Sequence, residues 1–485
     1  MVTNSDIPSA LFSVYSTPQT NQPILLYQGT VEIQVDSQKI AAGESNIYLN
    51  WLPSPSIKVE INNAILDIPE KDLEDIAFSG KVQLLLVDSE VRASAYLDQF
   101  SYLHDSSAED FCRIDIAGNL YEAIWSKSDE SLEYILGHLV NFPRLAGNWI
   151  SHSQENWISE AALRAVLTTE RWKITIDGVS NIDEITKELH QSGGYAITSL
   201  IKIERSSKSE RFTSLGDTRK ITDALCFFFS FAVGRYSPVV LPVGFDSSGI
   251  ESWYEWKDWL IPQWGKTISW FSGKKNWDGL GQVFPGFMKI WDDPIWRESI
   301  RRSILWYVES NRTTADPSGS IVLVQSALEL LSQTPFISIE NEKEEKKSKS
   351  KSKQQGGACK KIKDLLNKLH IPVSFSNTPR DLQHLGRFIE RYKQNWQSSE
   401  DYLYLKAFVE IRNDIVHSKQ CYETIPSPDN SDYEDSFWVR VEALNFGLWC
   451  LELSLLRLFE YQGSYTNRLK NGGLEAVPWA EVINT

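Results

Sequence analysis

Along the first 125 residues the apolar positions come in short runs separated by turn residues. The runs 24–27, 30–35, 46–51, 57–61 and 81–87 are rich in Val, Ile, Leu and Tyr, and Gly29, Asp36, Gly43, Pro53, Pro55 and Gly80 punctuate them. Short strands at regular spacing predict a β-rich domain over residues 1–125, a sandwich or a barrel, with the sandwich-like form expected first. From 126 to 293 the pattern is mixed. Helical spacing is read at 129–140, 159–167 and 217–232, and strand character at 171–176 and 195–204. From 294 onward six segments carry helical spacing: 294–309, 319–332, 361–369, 380–395, 400–416 and 437–461. Strand signals fade, which predicts an all-α bundle over 294–465, followed by a tail at 466–485. The expected fold class is therefore α+β and multidomain.

Half of the 18 tryptophans lie between 253 and 306. They could form a stacking platform for bases or sugars. The plainer expectation is that a segment with few regular elements buries bulky side chains to make a core.

The apolar stretch 437–461 contains Arg440, Glu442, Glu452 and Arg457, which argues against a membrane span and for a buried helix. The five cysteines are scattered, with no C-x-x-C pair and no zinc-like spacing, and the first residues lack a signal-peptide pattern. Both point to a cytoplasmic protein without a metal or other cofactor and without a membrane partner. A formal charge of −15 speaks against a uniformly basic nucleic-acid binder. Within that acidic average, residues 343–363 hold nine Lys against two Glu. This basic insertion, centred on 341–361, reads as a solvated linker. It also offers Lys346, Lys347, Lys349, Lys351, Lys353, Lys360 and Lys361 to a phosphate backbone.

Only seven histidines are present, so imidazole chemistry has few positions to use. Six of them (His104, His138, His152, His190, His370 and His384) have no partner pattern. The seventh, His417, follows Arg412 and Asn413 at the end of a predicted helix whose Tyr404, Phe408, Ile411 and Ile415 form an apolar stripe. Asn413 and His417 share a face at i and i+4. A guanidinium, an amide and an imidazole suit phosphoryl transfer on RNA. The imidazole moves a proton at the 2′-hydroxyl or the leaving oxygen, and the guanidinium holds the phosphate. On an ideal helix Arg412 and His417 stand about 140° apart. Either the helix ends before His417, or a second copy completes the site across a two-fold axis.

Arg412-Asn413-Asp414-Ile415-Val416-His417 resembles the R-x(4–6)-H motif of HEPN domains, in the form with a polar residue after the Arg. The resemblance covers about residues 300 to 465 and includes Ser326-Ala327-Leu328-Glu329-Leu330-Leu331, similar to the first core helix of such domains. It implies a helical bundle that pairs into a dimer or higher oligomer and cleaves RNA without metal. Arg412 and His417 would be the catalytic pair, Asn413 a helper, and Glu329 and Asp414 supporting groups. The layout, a long β-rich region before such a bundle, is similar to ApeA-like anti-phage proteins. That implies a defence effector with RNA as its partner, held quiet until a phage or host trigger arrives. The alternative is a bundle that keeps the motif but only dimerises or binds RNA.

Overall fold

The computed structural model describes residues 7–16, 19–69, 81–89, 91–103, 113–127, 131–154, 157–207, 210–212, 215–312, 315–334, 357–375, 377–396, 402–417 and 430–480. Two compact units divide the chain. One comprises residues 1–223 and 237–265, and the other residues 224–236 and 266–485.

The first unit is built on one antiparallel sheet of thirteen strands. The strands are β1 Ile24–Val35, β2 Gln38–Asn50, β3 Ser56–Leu66, β4 Lys81–Leu86, β5 Val91–Leu103, β6 Arg113–Ser126, β7 Tyr134–Val140, β8 Asn148–Gln154, β9 Trp157–Thr168, β10 Trp172–Gly178, β11 Ile197–Arg205, β12 Val239–Phe245 and β13 Glu251–Lys257. Asp36 and Ser37 both take positive φ (50° and 67°), the two-residue turn that matches strand twist between β1 and β2.

The order β3-β2-β1-β4-β5-β6 is closed by a further pairing of β3 with β6, in which Ile57 faces Leu120 and Ile61 faces Ile116. These six strands therefore form a barrel, the second of the two expected forms, in place of the sandwich-like one. Alternate residues point inward, among them Val31, Ile33, Val59, Leu84, Ala93 and Ile116, all buried. Gly118 lies where a Cβ would meet the Tyr96 carbonyl oxygen at 2.1 Å, so the close β5–β6 approach admits no side chain there.

The last turn of β6 leaves the barrel and pairs with β13, with Trp253 opposite Ser126. The sheet then runs on as β13-β12-β7-β11-β10-β9-β8. One sheet thus spans what the sequence pattern splits into a β-rich and a mixed region. Two expected helices, at 129–140 and 159–167, are strands β7 and β9. In β7 (YILGHLV) six of seven residues are buried, because it lies inside the sheet, and a continuous apolar run has no strand period. In β9 Leu163, Ala165 and Leu167 are buried at alternate positions, and cross-strand pairing overrides the helix propensity of Ala, Leu and Glu.

Helix α1 Ile182–Ser192 buries Ile182, Ile185 and Leu189. Helix α2 is Leu215–Val233. The tail side of the sheet ends at β8, whose outer rim is bridged by the N-terminal segment. Ala10 N–H donates to Ser151 O at 2.9 Å and Ser151 N–H to Pro8 O at 3.0 Å. Arg164 and Asp177 anchor that segment, through Ser9 O at 2.8 Å and Leu11 N–H at 2.8 Å.

The second unit holds α3 Gly279–Asp292, α4 Pro294–Ser310, α5 Ser318–Ser332, α6 Ala358–Lys368, α7 Gln383–Tyr392, α8 Leu403–Val416 and α9 Asn430–Leu458. The expected all-α bundle is corrected here. A hairpin of β14 Ser464–Asn467 and β15 Gly473–Ala476 belongs to the unit. Its turn carries Arg468 back into the helices, where it pairs with Glu452 of α9. Tyr307 of α4 donates to the same carboxylate at 2.6 Å. The acidic residue inside an apolar helix thus has its counter-ion on the hairpin, a pairing that helical periodicity cannot reveal.

The tryptophan-rich stretch does serve as core. Trp253, Trp256 and Trp259 are buried in the first unit, and Trp270 and Trp291 in the second. Among the described residues no helix is long and apolar enough to cross a membrane.

Candidate active site at the end of helix α8

Helix α8 packs Leu405, Ala407, Phe408, Val409 and Ile411 inward. Of the expected stripe, Phe408 and Ile411 are buried, and Tyr404 and Ile415 are half-exposed. Tyr404 meets Phe375 edge-on at 5.0 Å, and its hydroxyl donates to Thr378 Oγ1 at 3.2 Å. Helix α9 comes close at Gly447, where a Cβ would stand 2.6 Å from the Phe408 ring. Helix α6 runs antiparallel beside α8. Lys363 sits 3.8 Å above the Tyr402 ring, and Cys359 feels the charges of Lys406 and Glu410. Burial raises the Cys359 thiol pKa, so this cysteine stays protonated near neutral pH.

The helix stops at Val416. His417 has left helical geometry, with φ −115° and ψ 56°, and its N–H still donates to Asn413 O at 2.8 Å. Of the two geometries open to the motif, the chain adopts the one in which the helix ends first. His417 is exposed, and Arg412, Asn413 and Asp414 are half-exposed.

Arg412 is the informative side chain. Its Nη1 reaches Asn413 Oδ1 at 3.4 Å, a long contact. Its Nε is buried without a hydrogen-bond partner. The plainer role for Arg412, an ion pair with Glu410, Asp414 or a neighbouring helix, does not occur among the described residues, and the Glu410 carboxylate is taken by Lys406 one turn earlier. Among the described residues Arg412 has no ion pair. A buried guanidinium nitrogen left unsatisfied costs about 1–3 kcal/mol.

Glu329 lies on α5 and accepts from Gln325 Nε2 at 2.8 Å, so the structure gives it a partner other than Arg412. Gln325 itself is fully buried with Oε1 unpartnered. Sequence reasoning passed over it, and its only signal was the i,i+4 spacing to Glu329. Lys360 is exposed and Lys361 half-exposed at the start of α6, beside the half of α8 that leads to Arg412. Lys346, Lys347, Lys349, Lys351 and Lys353 fall outside the described residues. No group of three or more His, Cys, Asp or Glu among the described residues is placed to hold a metal ion.

Comparison with known proteins places two matches on the chain. Residues 127–267 match the family described as the YopA central domain, and residues 293–478 the YopA C-terminal domain. Over 480 residues the chain is 25% identical to the SPbeta prophage-derived uncharacterized protein YopA of Bacillus subtilis (strain 168), covering 97% of this chain and 98% of that protein. No solved structure gives a significant match.

Proposed function

We propose that the helical unit is a metal-independent endoribonuclease of the HEPN type, acting in the cytoplasm as a homodimer or higher oligomer. The observation that carries this reading is the buried, unpartnered Arg412 Nε next to the helix end that presents His417. A half-exposed guanidinium without an ion pair among the described residues is suited to a phosphate oxygen. An exposed imidazole is suited to proton transfer near neutral pH.

In the proposed reaction His417 takes the proton of a ribose 2′-hydroxyl. The 2′-oxygen attacks the adjacent phosphorus and the bond to the 5′-oxygen breaks. The products are a cyclic phosphate and a 5′-hydroxyl. Arg412 holds the charge that builds on the phosphate. One imidazole cannot serve as base and acid in the same step, so a second copy's His417 would protonate the leaving oxygen. Lys360 and Lys361, with the basic segment before them, would raise the local concentration of RNA. The prophage origin of the bacterial relative is compatible with a role in conflict between phages and their hosts.

A second reading has its own support. His417 sits at the C-terminal end of α8, where its N–H donates to Asn413 O at 2.8 Å, a helix-end role that needs no catalysis. Under that reading the unit only binds RNA or dimerises.

The test is incubation of the purified chain with total RNA in EDTA, beside Arg412→Ala and His417→Ala. The first reading expects cleavage with cyclic-phosphate ends that disappears in both variants while folding is retained. Equal cutting by all three proteins defeats it. Absence of cutting, with RNA bound equally well by wild type and His417→Ala, supports the second.

A further inference from the structure

The first unit contains a pocket of about 380 Å³ that the RNA reading does not use. Three stretches of chain meet there: the N-terminal segment with Tyr15, the start of β1 with Tyr27, and β13 with Glu251, Tyr254 and Trp256. Ser89, in the turn between β4 and β5, closes one side.

The aromatic wall is held in place. Trp256 Nε1 donates to Tyr15 Oη at 2.8 Å. Tyr254 stacks on Trp256 with ring centres 4.7 Å apart, and Trp125 lies against Tyr254 at 5.5 Å. Burial pushes the Tyr254 phenol up to about 12 and that of Tyr15 higher still, so both stay neutral.

Two polar groups in the pocket lack partners. The Glu251 carboxylate has no ion pair or hydrogen bond among the described residues. Glu251 keeps contact with solvent at the mouth, yet burial by its surroundings raises its pKa. The Ser89 hydroxyl is enclosed and has no hydrogen-bond partner. It stands beside the Tyr254 phenol and offsets part of the rise that burial causes there. Among the described residues no Lys or Arg lines the pocket, and the one formal charge described there is negative and stands among electron-rich rings.

We infer that this pocket binds a small organic ammonium ion carrying a hydrogen-bonding group. Aromatic rings and a carboxylate without a protein counter-ion among the described residues both attract a cation. The ligand's polar group would meet the enclosed Ser89 hydroxyl. The same ammonium chemistry can come from a free metabolite or from a methylated lysine side chain of a peptide.

The test is titration calorimetry on the full chain with choline, with choline's neutral isostere in which carbon replaces nitrogen, and with a trimethyl-lysine peptide. We expect choline to bind at least about tenfold more tightly than the neutral isostere. Glu251→Gln should weaken choline about tenfold, and Tyr27→Leu should weaken it severalfold. Both positions keep solvent contact, and a thermal melt verifies folding. Tighter binding of the peptide than of choline would assign the source as a protein side chain, and the reverse would assign a free cation. Equal binding of choline and its neutral isostere, an unchanged affinity in Glu251→Gln, or the absence of heat with either cation would overturn the inference. None of these readouts depends on RNA cleavage.

Discussion

Arg468 and Glu452 form a two-point ion pair, Nε to one carboxylate oxygen at 3.0 Å and Nη2 to the other at 2.6 Å, with side-chain exposures of 2% and 0%. Arg468 also donates to Ile268 O at 2.9 Å and Asn311 Oδ1 at 3.2 Å. Burial alone would lower the arginine's pKa, and the pull of Glu452 reverses that. The pair fastens the hairpin to α9. Removing one member leaves a bare charge inside, so Arg468→Ala should cost about 3–5 kcal/mol in the urea midpoint of the helical unit. Replacing both by apolar residues of similar volume should recover most of that loss. If the double variant were as unstable as the single one, the account of a stranded charge would be wrong.

At the proposed active site, Arg412→Lys keeps the charge and loses the forked donor geometry. We expect it to retain less than about a tenth of wild-type RNA cleavage, with RNA binding changed much less. Initial rates and filter binding on the same preparations separate the two effects. A fully active lysine variant would show that charge alone suffices.

His138 lies on β7, fully enclosed, with Ser13 Oγ at 3.0 Å and Val240 O at 3.4 Å. Burial lowers its pKa to about 4. The folded state therefore holds the neutral ring, while the unfolded chain takes a proton below its ordinary value of about 6.5. Above that value the group adds no pH dependence. As pH falls from about 6.5 to about 4, the unfolded state binds more protons, and about 3 kcal/mol of stability should be lost. Urea midpoints at neutral pH and near pH 5 measure it, and His138→Leu should flatten the decline.

Gly447 marks the closest approach of α9 to α8, with Phe408 at 2.6 Å and Val324 at 3.0 Å from a would-be Cβ. Phe408 is fully buried and has no room to retreat. Gly447→Ala should therefore destabilise by about 1–3 kcal/mol, despite the better helix propensity of alanine. A melting temperature at or above wild type would show that the two helices can slide apart.

What the sequence revealed follows the range of the forces involved. Helix α8 and its end were legible because Phe408 and Ile411 repeat at helical spacing and the chemistry sits within six residues. Barrel closure was not, because β3 and β6 are far apart along the chain and nothing local marks their pairing. Helix α3 was hidden by Gly279, Gly281, Pro285 and Gly286, yet Gly286 is needed there, since Phe459 O would lie 1.9 Å from a Cβ. The alternation in β9 was present and was outweighed by residues that favour helices. Glu452 was the clearest missed signal: an acid in the middle of a buried helix requires a counter-ion, and Arg468 supplies it. The Arg412 Nε vacancy and the aromatic pocket depend on the folded arrangement and have no linear trace.

The bridging of β8 by residues 8–10 bears on the free margin of the large sheet. Barrel closure consumes one margin of the large sheet, and the Pro8–Ser151 and Ala10–Ser151 bonds occupy the middle of the other at Ser151. An uncovered margin is a template on which foreign strands polymerise. The stretch ahead of β1 thus works as a selvedge, the finished border that keeps a fabric from unravelling into its neighbour. Its clamp, Arg164 on Asp177, holds that border in place.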